Sequence, residues 1–198
     1  MDTNPTPKVS IVVPFHWMKN WQFFLVRCLE SIAMQEFKDY EVILTKAGSM
    51  PVNTNRAIQC AKGEIIKVLY MDDYFSSPYA LDDIVLHFNE SVEWLITGCS
   101  TNKAPQWTDD IEKGNNKLGS PSVLSFRNHF EDNVLFDKTL SWLLDCDFYK
   151  RMYEKFGSPK ILPVNNIIIG EHDGQMTYIL TNENKQDEQD YLNKKYGK

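Results

Sequence analysis

The stretch IIKVLYMDDYFSSP, at positions 65–78, decides how this chain folds. Its first six residues are mostly apolar, with β-branched isoleucine and valine, and predict a strand of a buried sheet. Asp72 and Asp73 follow that strand almost directly, and Ser77 and Pro78 then provide the N-cap and first-turn proline of a helix. A strand, an acidic turn and a helix in this order predict one unit of an α/β fold.

Two similar units precede this stretch. Val9–Pro14 (VSIVVP) predicts a strand, and the apolar residues after it recur with a helical period, at positions 21, 24, 25, 28, 29 and 32. Tyr40–Thr45 (YEVILT) predicts a second strand, followed by a short helix at 53–62 that Gly63 ends. Three strand-then-helix units within about 90 residues imply parallel strands with right-handed crossovers.

The second half of the chain gives weaker patterns. The predicted elements are a strand at 94–99, a strand at 122–127, a helix at 137–156 and a strand at 161–170. Asp145 and Asp147 fall near the middle of that predicted helix. Positions 101–116 are polar and loop-like, and the polar tail from Thr181 predicts a surface helix or a frayed end. We therefore predict an α/β chain whose mostly parallel central sheet is flanked by helices on both faces.

Composition places the chain among ordinary globular domains. Of its 198 residues, 42% are hydrophobic and 24% are charged, which predicts one domain over 1–198. The formal net charge of -6, with no long basic run, argues against general nucleic-acid binding. Apolar runs such as 11–13 fall far short of the roughly 20 residues of a membrane-spanning helix. The start, at 1–8, lacks the pattern of a secretory signal, so we expect a cytoplasmic protein without a transmembrane segment.

The residues that come after the predicted strands carry the candidate chemistry. In open parallel sheets the ligand crevice lies at the carboxyl ends of the strands. Phe15 and His16 come after the first strand, Lys46 after the second, and Asp72 with Asp73 after the third. Adjacent carboxylates at a strand end can hold one divalent cation, which in turn holds a diphosphate. The alternative is that both aspartates only stabilise the turn before the next helix.

Three common motifs are missing from the sequence. The chain contains no G-x-G-x-x-G, no G-x-x-x-x-G-K-[ST] and no G-x-S-x-G. Dinucleotide-binding, P-loop and serine-hydrolase functions therefore lose their usual support.

The order and spacing of several segments resemble the family 2 glycosyltransferases, which have the GT-A nucleotide-sugar fold. The matching segments are Val9–Pro14 (VSIVVP), 25–35 (LVRCLESIAMQ), 37–44 (FKDYEVIL), 55–57 (NRA), 61–66 (AKGEII) and the metal motif 71–73 (MDD). The resemblance is dense over 8–90 and looser over 119–180. It implies a nucleotide-sugar-binding half at 8–90, an acceptor-side half at 91–180 and a polar tail at 181–198.

The resemblance implies an inverting, metal-dependent enzyme that moves a sugar from a UDP- or GDP-sugar to a hydroxyl of a glycan or another acceptor. Asp73 would bind Mn²⁺ or Mg²⁺, with Asp72 beside it, and His172 in GEHDGQ is similar to a late histidine that approaches the metal. A fixed cation stabilises the departing diphosphate more in the transition state than in the ground state. The candidate nucleotide-binding residues are Pro14, Phe15, His16, Lys46, Asp72 and Arg127.

The acceptor hydroxyl also needs a base, and positions 144–148 (LDCDF) resemble the family's pair of acids two residues apart. Residues two apart on a helix point about 200° apart, so only one acid can face the crevice. We predict Asp145 as the base and Asp147 as the partner of a cation such as Lys150 or Arg151. The alternative is that both are ordinary helix-surface acids facing water.

Two positions depart from the family pattern. The turn at 46–49 (KAGS) keeps only the Gly-Ser of a D-D-G-S-like turn that contacts the nucleobase, and Tyr70 stands where a first acid often lies. A sugar-nucleotide or glycan-binding module without catalysis is therefore an alternative, as is an exposed turn role for His172. A nucleotidyltransferase is a third alternative, although it would need a Gly-rich basic loop where Phe15 and Trp17 are bulky.

Overall fold

The computed structural model describes residues 6–197. The predicted domain limits at 1 and 198, and most of the N-terminal stretch at 1–8, lie outside the described residues. The strands are β1 Val9–Pro14, β2 Tyr40–Thr45, β3 Ile65–Val68, β4 Tyr74–Phe75, β5 Trp94–Cys99, β6 Leu124–Arg127 and β7 Lys160–Ile168. The helices are α1 Trp21–Ala33, α2 Met50–Cys60, α3 Ala80–His87, α4 Leu144–Phe156, α5 Met176–Ile179 and α6 Asn182–Lys195.

The strands form one sheet in the order β2-β1-β3-β6-β5-β7-β4. β1 pairs in parallel with both β2 and β3, as the predicted strand-then-helix units imply. β5 and β7 are also parallel, whereas β6 is antiparallel to β3 and β5, and β4 is antiparallel to β7. Only β6 and β4 therefore run against the other described strands, and the predicted α/β class with a mostly parallel sheet is confirmed.

The central strands are buried along their whole length. Every residue of β1, β3 and β5 is buried, although successive side chains point to opposite faces of a sheet. Both faces of the sheet centre are therefore covered, as expected for parallel strands between helices. The edge strand β2 instead alternates between part-buried and exposed residues, and Val42 and Leu44 are exposed.

The register of β1 and β3 brings their carboxyl ends to one edge of the sheet. Val9 lies opposite Ile65, so the residues after these two strands leave the sheet side by side. The acidic turn, Asp72 and Asp73, lies at this edge. Arg127 in β6 lies opposite Ile65, the first residue of β3. It is therefore at the amino-terminal ends of β1 and β3, on the far edge of the sheet from the acidic turn.

The predicted helix at 137–156 is wrong in its first turns. α4 begins at Leu144, and the preceding segment 137–143 forms a loop. The backbone N–H groups of 141–143 bind the side chain of Glu188 in α6 instead of helix carbonyls. Asp145 consequently lies in the first turn of α4 and not near the middle of a helix.

Other predicted elements have the right type and differ at their ends. α2 begins at Met50, earlier than predicted, and α3 begins at Ala80, beyond the expected Ser77 cap. β4 was not expected from the sequence, and it pairs only with β7 among the described strands. Of the two forms predicted for the tail, the helix is present as α6, and Thr181 and Asn184 form its capping box.

Within residues 6–197, no helix has both the length and the apolar character needed to cross a bilayer. The location of the protein in the cytoplasm stays a prediction.

Candidate active site

A cavity of about 180 Å³ opens at the carboxyl edge of the sheet. Its walls come from the ends of β1 and β3, the start of α4 and the segment after β7. Its lining includes the following side chains able to bind ligands or protons: His16, Tyr70, Asp72, Asp73, Ser120, Trp142, Asp145 and His172. The cavity therefore joins the acidic turn to the first turn of α4, two segments far apart in the sequence.

Asp73 is almost enclosed, with 3% of its surface exposed. Its Oδ1 accepts a hydrogen bond from the backbone N–H of Gly170 at 2.9 Å, and the Ser122 hydroxyl also binds the carboxylate. Burial, and then the neighbouring charge of Asp72, hold the pKa of Asp73 well above its usual value. A positive charge beside this carboxylate would favour its ionised form.

Asp72 and His172 are paired in the cavity wall. His172 Nε2 lies 3.0 Å from Asp72 Oδ2, and the backbone N–H of Gly174 donates to His172 Nδ1 at 3.1 Å. Because Nδ1 accepts, this network assigns the proton to Nε2, which donates to Asp72. His16 lines the same cavity, and its buried Nδ1 has no hydrogen-bond partner among the described residues. Burial lowers the pKa of His16, and the Asp72 charge opposes that shift.

The acidic turn is held in place by three neighbouring segments. Arg27 of α1 donates to the backbone carbonyl of Asp72 at 2.6 Å, and the Tyr70 N–H donates to the Ser122 hydroxyl at 2.9 Å. Gly170 lies so close that a Cβ atom there would stand 2.0 Å from the Asp72 carbonyl oxygen. The position of the turn therefore depends on the absence of a side chain at Gly170.

Asp145 contributes another wall of the cavity. Its Oδ2 accepts a hydrogen bond from the Asn116 side-chain amide at 2.9 Å, and its Oδ1 accepts from the backbone N–H of Cys146 at 2.8 Å. Burial raises the pKa of Asp145 to about 6, although both hydrogen bonds oppose the shift. A carboxylate with a pKa in this range can accept a proton efficiently at neutral pH.

Asp147 is fully buried and does not line the cavity. Its Oδ2 accepts from Arg151 Nε at 2.9 Å and from Arg151 Nη2 at 2.7 Å, and Arg151 is one of the partners suggested by the sequence. Its Oδ1 accepts from the Tyr196 hydroxyl and lies 2.7 Å from Lys195 Nζ. Asp147 therefore ties α4 to the end of α6.

Three predicted nucleotide-binding residues lie at the same edge of the sheet without lining the cavity. Pro14 and Phe15 are at the end of β1, and Lys46 follows β2. The Lys46 ammonium lies 3.6 Å from the centroid of the Trp17 ring. Both of these side chains are exposed, so they present a cation and an aromatic surface to solvent.

Arg127 lies apart from these groups. Its guanidinium donates to the backbone carbonyls of Asn89 at 2.7 Å and Val92 at 3.2 Å, at the far edge of the sheet. The structure separates Arg127 and Asp147 from the cavity. The predicted site residues that it brings together are His16, Asp72, Asp73, Asp145 and His172.

Two supporting residues, Asn116 and Glu188, could not be recognised from the sequence. Asn116 lies in a segment assigned only as a polar loop, and Glu188 lies in the polar tail. Neither position carries a motif, and each acts on a segment distant in the chain. Gly170, by contrast, is the first residue of the GEHDGQ segment, which the resemblance already marks through His172.

The acids of the cavity do not form a complete metal site by themselves. In the described part of the chain, no three His, Cys, Asp or Glu side chains are grouped so that they could hold a metal ion. Other metal ligands would have to come from a bound diphosphate or from water, as is common for Mg²⁺ at phosphate sites.

No protein-family profile and no curated protein matches the sequence. Solved structures do match. S. aureus TarS 1-349 in complex with UDP-GlcNAc has a TM-score of 0.70 at 17% identity, over 88% of this chain and 61% of that chain. The mannosyltransferase PcManGT from Pyrobaculum calidifontis, in complex with GDP-Man and Mn²⁺, has a TM-score of 0.64 at 14% identity, over 89% and 61%.

A third similar structure is glucosyl-3-phosphoglycerate synthase from Mycobacterium tuberculosis, in complex with Mn²⁺, UDP and glucosyl-3-phosphoglycerate. It has a TM-score of 0.61 at 12% identity, over 94% of this chain and 77% of that chain. This chain spans 61% of the length of the TarS and PcManGT chains. Identities this low establish the fold alone, and membership of family 2 stays a prediction. The chain has the GT-A fold of nucleotide-sugar glycosyltransferases, as the sequence predicted.

Proposed function

We propose that this chain is an inverting glycosyltransferase of the family 2 type, which moves a sugar from a UDP- or GDP-sugar to an acceptor hydroxyl. One observation carries the proposal: the acid pair Asp72 and Asp73 and the separate carboxylate of Asp145 line one cavity at the carboxyl edge of a GT-A sheet. Such a cavity can place a leaving diphosphate beside Asp72 and Asp73 and an attacking hydroxyl beside Asp145.

The donor would occupy the part of the cavity formed by residues 8–90. The solved neighbours contain UDP-GlcNAc, UDP or GDP-Man, which supports a nucleotide-sugar donor. The proposed nucleotide contacts lie at or after the carboxyl ends of strands and are Pro14, Phe15, His16, Lys46 and Asp72. Arg127 is left out of this set because its guanidinium binds backbone carbonyls at the far edge.

A divalent cation, Mn²⁺ or Mg²⁺, fits the acidic turn. Such ions prefer carboxylate oxygens, and beside a diphosphate they need only one or two from the protein. Asp72 and Asp73 supply that pair, and ionisation of the buried Asp73 is favoured by a positive charge nearby. Bound there, the ion supplies charge neutralisation for the leaving diphosphate. We assign His172 to the same site as the residue that orients Asp72 through its Nε2–H.

Asp145 is the proposed base. With a pKa of about 6, most of its carboxylate is ionised at neutral pH and can accept the proton of the acceptor hydroxyl. The hydroxyl oxygen then attacks the anomeric carbon opposite the leaving diphosphate, and a single displacement inverts the configuration. Asp147, paired with Arg151, stabilises α4 instead of reacting.

The acceptor would enter from the half formed by residues 91–180. Trp142 forms part of the cavity wall just before α4, and an indole ring offers a flat apolar surface to the face of a sugar. This supports a glycan among the hydroxyl acceptors, with both halves working as one domain.

Nucleotide binding gives the most direct test. At a concentration 100 times its Kd, UDP or GDP with Mn²⁺ is expected to stabilise the chain by about 2.7 kcal/mol, which is about 5 to 10 °C in Tm. Differential scanning fluorimetry with each nucleotide, with and without Mn²⁺, measures this shift.

Two variants serve as controls for that shift. Asp73→Asn keeps the shape of the side chain and is expected to lose the Mn²⁺-dependent part of the shift, whereas Arg127→Gln at the far edge is expected to keep it. The proposal is wrong if neither nucleotide changes Tm. A shift without any release of nucleotide from UDP-GlcNAc or GDP-Man would favour a binding module.

The rate of nucleotide release is expected to depend on the ionisation of Asp145. Because the base must be charged and its folded pKa is about 6, the rate is highest above that pH and falls as the pH drops through it. Asn116→Asp replaces the amide donor by a second carboxylate, and this is expected to move the acidic limb of the profile up by about one pH unit or more.

The matched control for this profile is Asn115→Asp. Asn115 is exposed, and its side chain binds Asp110 instead of Asp145. The acidic limb of the pH profile of Asn115→Asp is expected to coincide with that of the unmodified chain. Equal shifts in the two variants would assign the effect to net charge and remove Asn116 from the site.

A further inference from the structure

We infer that α6 sets the position of the proposed base, with Glu188 as the positioning residue that holds the amino-terminal end of α4. The inference rests on the role proposed for Asp145. It assigns a specific task in the site to the polar tail of the chain, which lies at 181–198.

The Glu188 carboxylate binds three consecutive backbone N–H groups. Ser141 donates to Oε1 at 2.8 Å, and Trp142 and Leu143 donate to Oε2 at 2.9 Å each. The first N–H groups at a helix start lack partners within the helix, and Leu143 at the N-cap position of α4 has no side-chain cap of its own. Glu188 therefore binds the N-cap N–H of α4 and the two N–H groups before it, and so holds the start of the helix from another helix.

A second set of contacts fixes the same segment to α6. Lys195 Nζ lies 2.7 Å from Asp137 Oδ2 and 2.7 Å from Asp147 Oδ1, and the Tyr191 hydroxyl donates to Asp137 Oδ2 at 2.7 Å. Leu192, between these side chains, is completely buried. Residues of α6 thus hold the first residue of the loop before α4, Asp137, and also Asp147 in the first turn of α4.

These contacts affect the cavity because the residues that they hold, at 141–143 and at the first turn of α4, adjoin or form part of its wall. Trp142 is held by its own N–H, and Asp145 follows Leu143 by two residues. Both Trp142 and Asp145 line the cavity. A displacement of about 1 Å in a reacting group can cost about 100-fold in rate, so a loosened helix start would act on catalysis through Asp145.

Hydrogen exchange and kinetics on the full chain test this inference together. In Glu188→Ala, the amides of 141–143 are expected to exchange at least tenfold faster by mass spectrometry. The rate constant for nucleotide release from UDP-GlcNAc or GDP-Man, whichever the unmodified chain uses, is expected to fall at least tenfold. The thermal shift by UDP or GDP with Mn²⁺ is expected to stay, because the acidic turn is untouched.

The matched control is Asp187→Ala. Asp187 is the neighbouring acid on the same helix and is exposed. It is expected to leave both exchange and rate unchanged. Glu188→Gln, which keeps one acceptor oxygen, is expected to restore part of the rate and serves as the second variant if Glu188→Ala does not fold.

A double variant separates positioning from general stability. In the Asp145→Asn background, Glu188→Ala is expected to cause no further loss of rate, since it acts through the missing base. Unchanged exchange at 141–143, faster exchange with an unchanged rate, or a full additive loss in the double variant would each overturn the inference. Absence of nucleotide release from the unmodified chain would instead count against the proposed function, and the exchange comparison would still decide whether Glu188 holds the segment 141–143 at the start of α4.

Discussion

Asp145→Asn is expected to lower the rate of sugar transfer by about 100- to 10,000-fold, the usual contribution of a positioned general base. Asparagine keeps the size of the side chain and can still contact Asn116 and the Cys146 N–H, but it cannot take up a proton. Nucleotide binding is expected to survive, because the acidic turn belongs to a different segment of the chain, between β3 and β4. The measurement is a single-turnover rate of nucleotide release together with a Kd for UDP or GDP.

The companion variant is Asp147→Asn. It weakens the contacts of this buried side chain with Arg151 and Lys195 and removes the negative charge that these two cations share. The free energy of unfolding is therefore expected to fall. The folded fraction should retain most of its transfer rate. If Asp147→Asn abolished transfer and Asp145→Asn did not, the base would be the other acid of the pair.

Gly170→Ala is expected to disrupt the acidic turn, because the new methyl group would clash with its backbone. The added Cβ would stand 2.0 Å from the Asp72 carbonyl oxygen and 2.7 Å from an Arg27 nitrogen, and the backbone oxygen cannot swing away as a side chain could. Forced overpacking of this kind costs about 1 to 3 kcal/mol or more. The Gly170 N–H would also move away from Asp73, so metal-dependent nucleotide binding is expected to be lost.

Chemical denaturation and the nucleotide-induced thermal shift together test this expectation. Gly157→Ala is the control, because Gly157 ends α4 at a positive φ of 78° and a Cβ there meets nothing within 4 Å. It is expected to reduce stability through backbone strain while preserving the thermal shift. A Gly170→Ala protein that bound UDP or GDP with Mn²⁺ normally would show that the turn tolerates displacement.

The first three strand-then-helix units could be predicted because their signals are local. β1 and β3 are buried at every residue, so their apolar runs stand out. Parallel strands also place the residues after their carboxyl ends at a common edge of the sheet. The acids Asp72 and Asp73 could be picked for that reason.

The start of α4 could not be predicted, because a distant side chain decides it. Leu140 and Leu144 are both buried and continue the helical spacing of the apolar residues, which favours a helix from 137. The N–H groups of 141–143 instead bind Glu188, and no local pattern announces that contact. The same holds for Asn116, which meets Asp145 only in the folded chain.

The closing contacts of the acidic turn have a consequence for how the chain becomes competent during synthesis. Asp73 meets Gly170 across 97 positions, and Asp72 meets His172 across 100 positions. A chain emerging from a ribosome would thus expose its two neighbouring aspartates long before their partners exist, and contacts between such distant positions form slowly. Donor binding is therefore expected to appear only in nascent chains that have emerged past position 172, and the full rate of turnover only later, once Glu188 has also emerged.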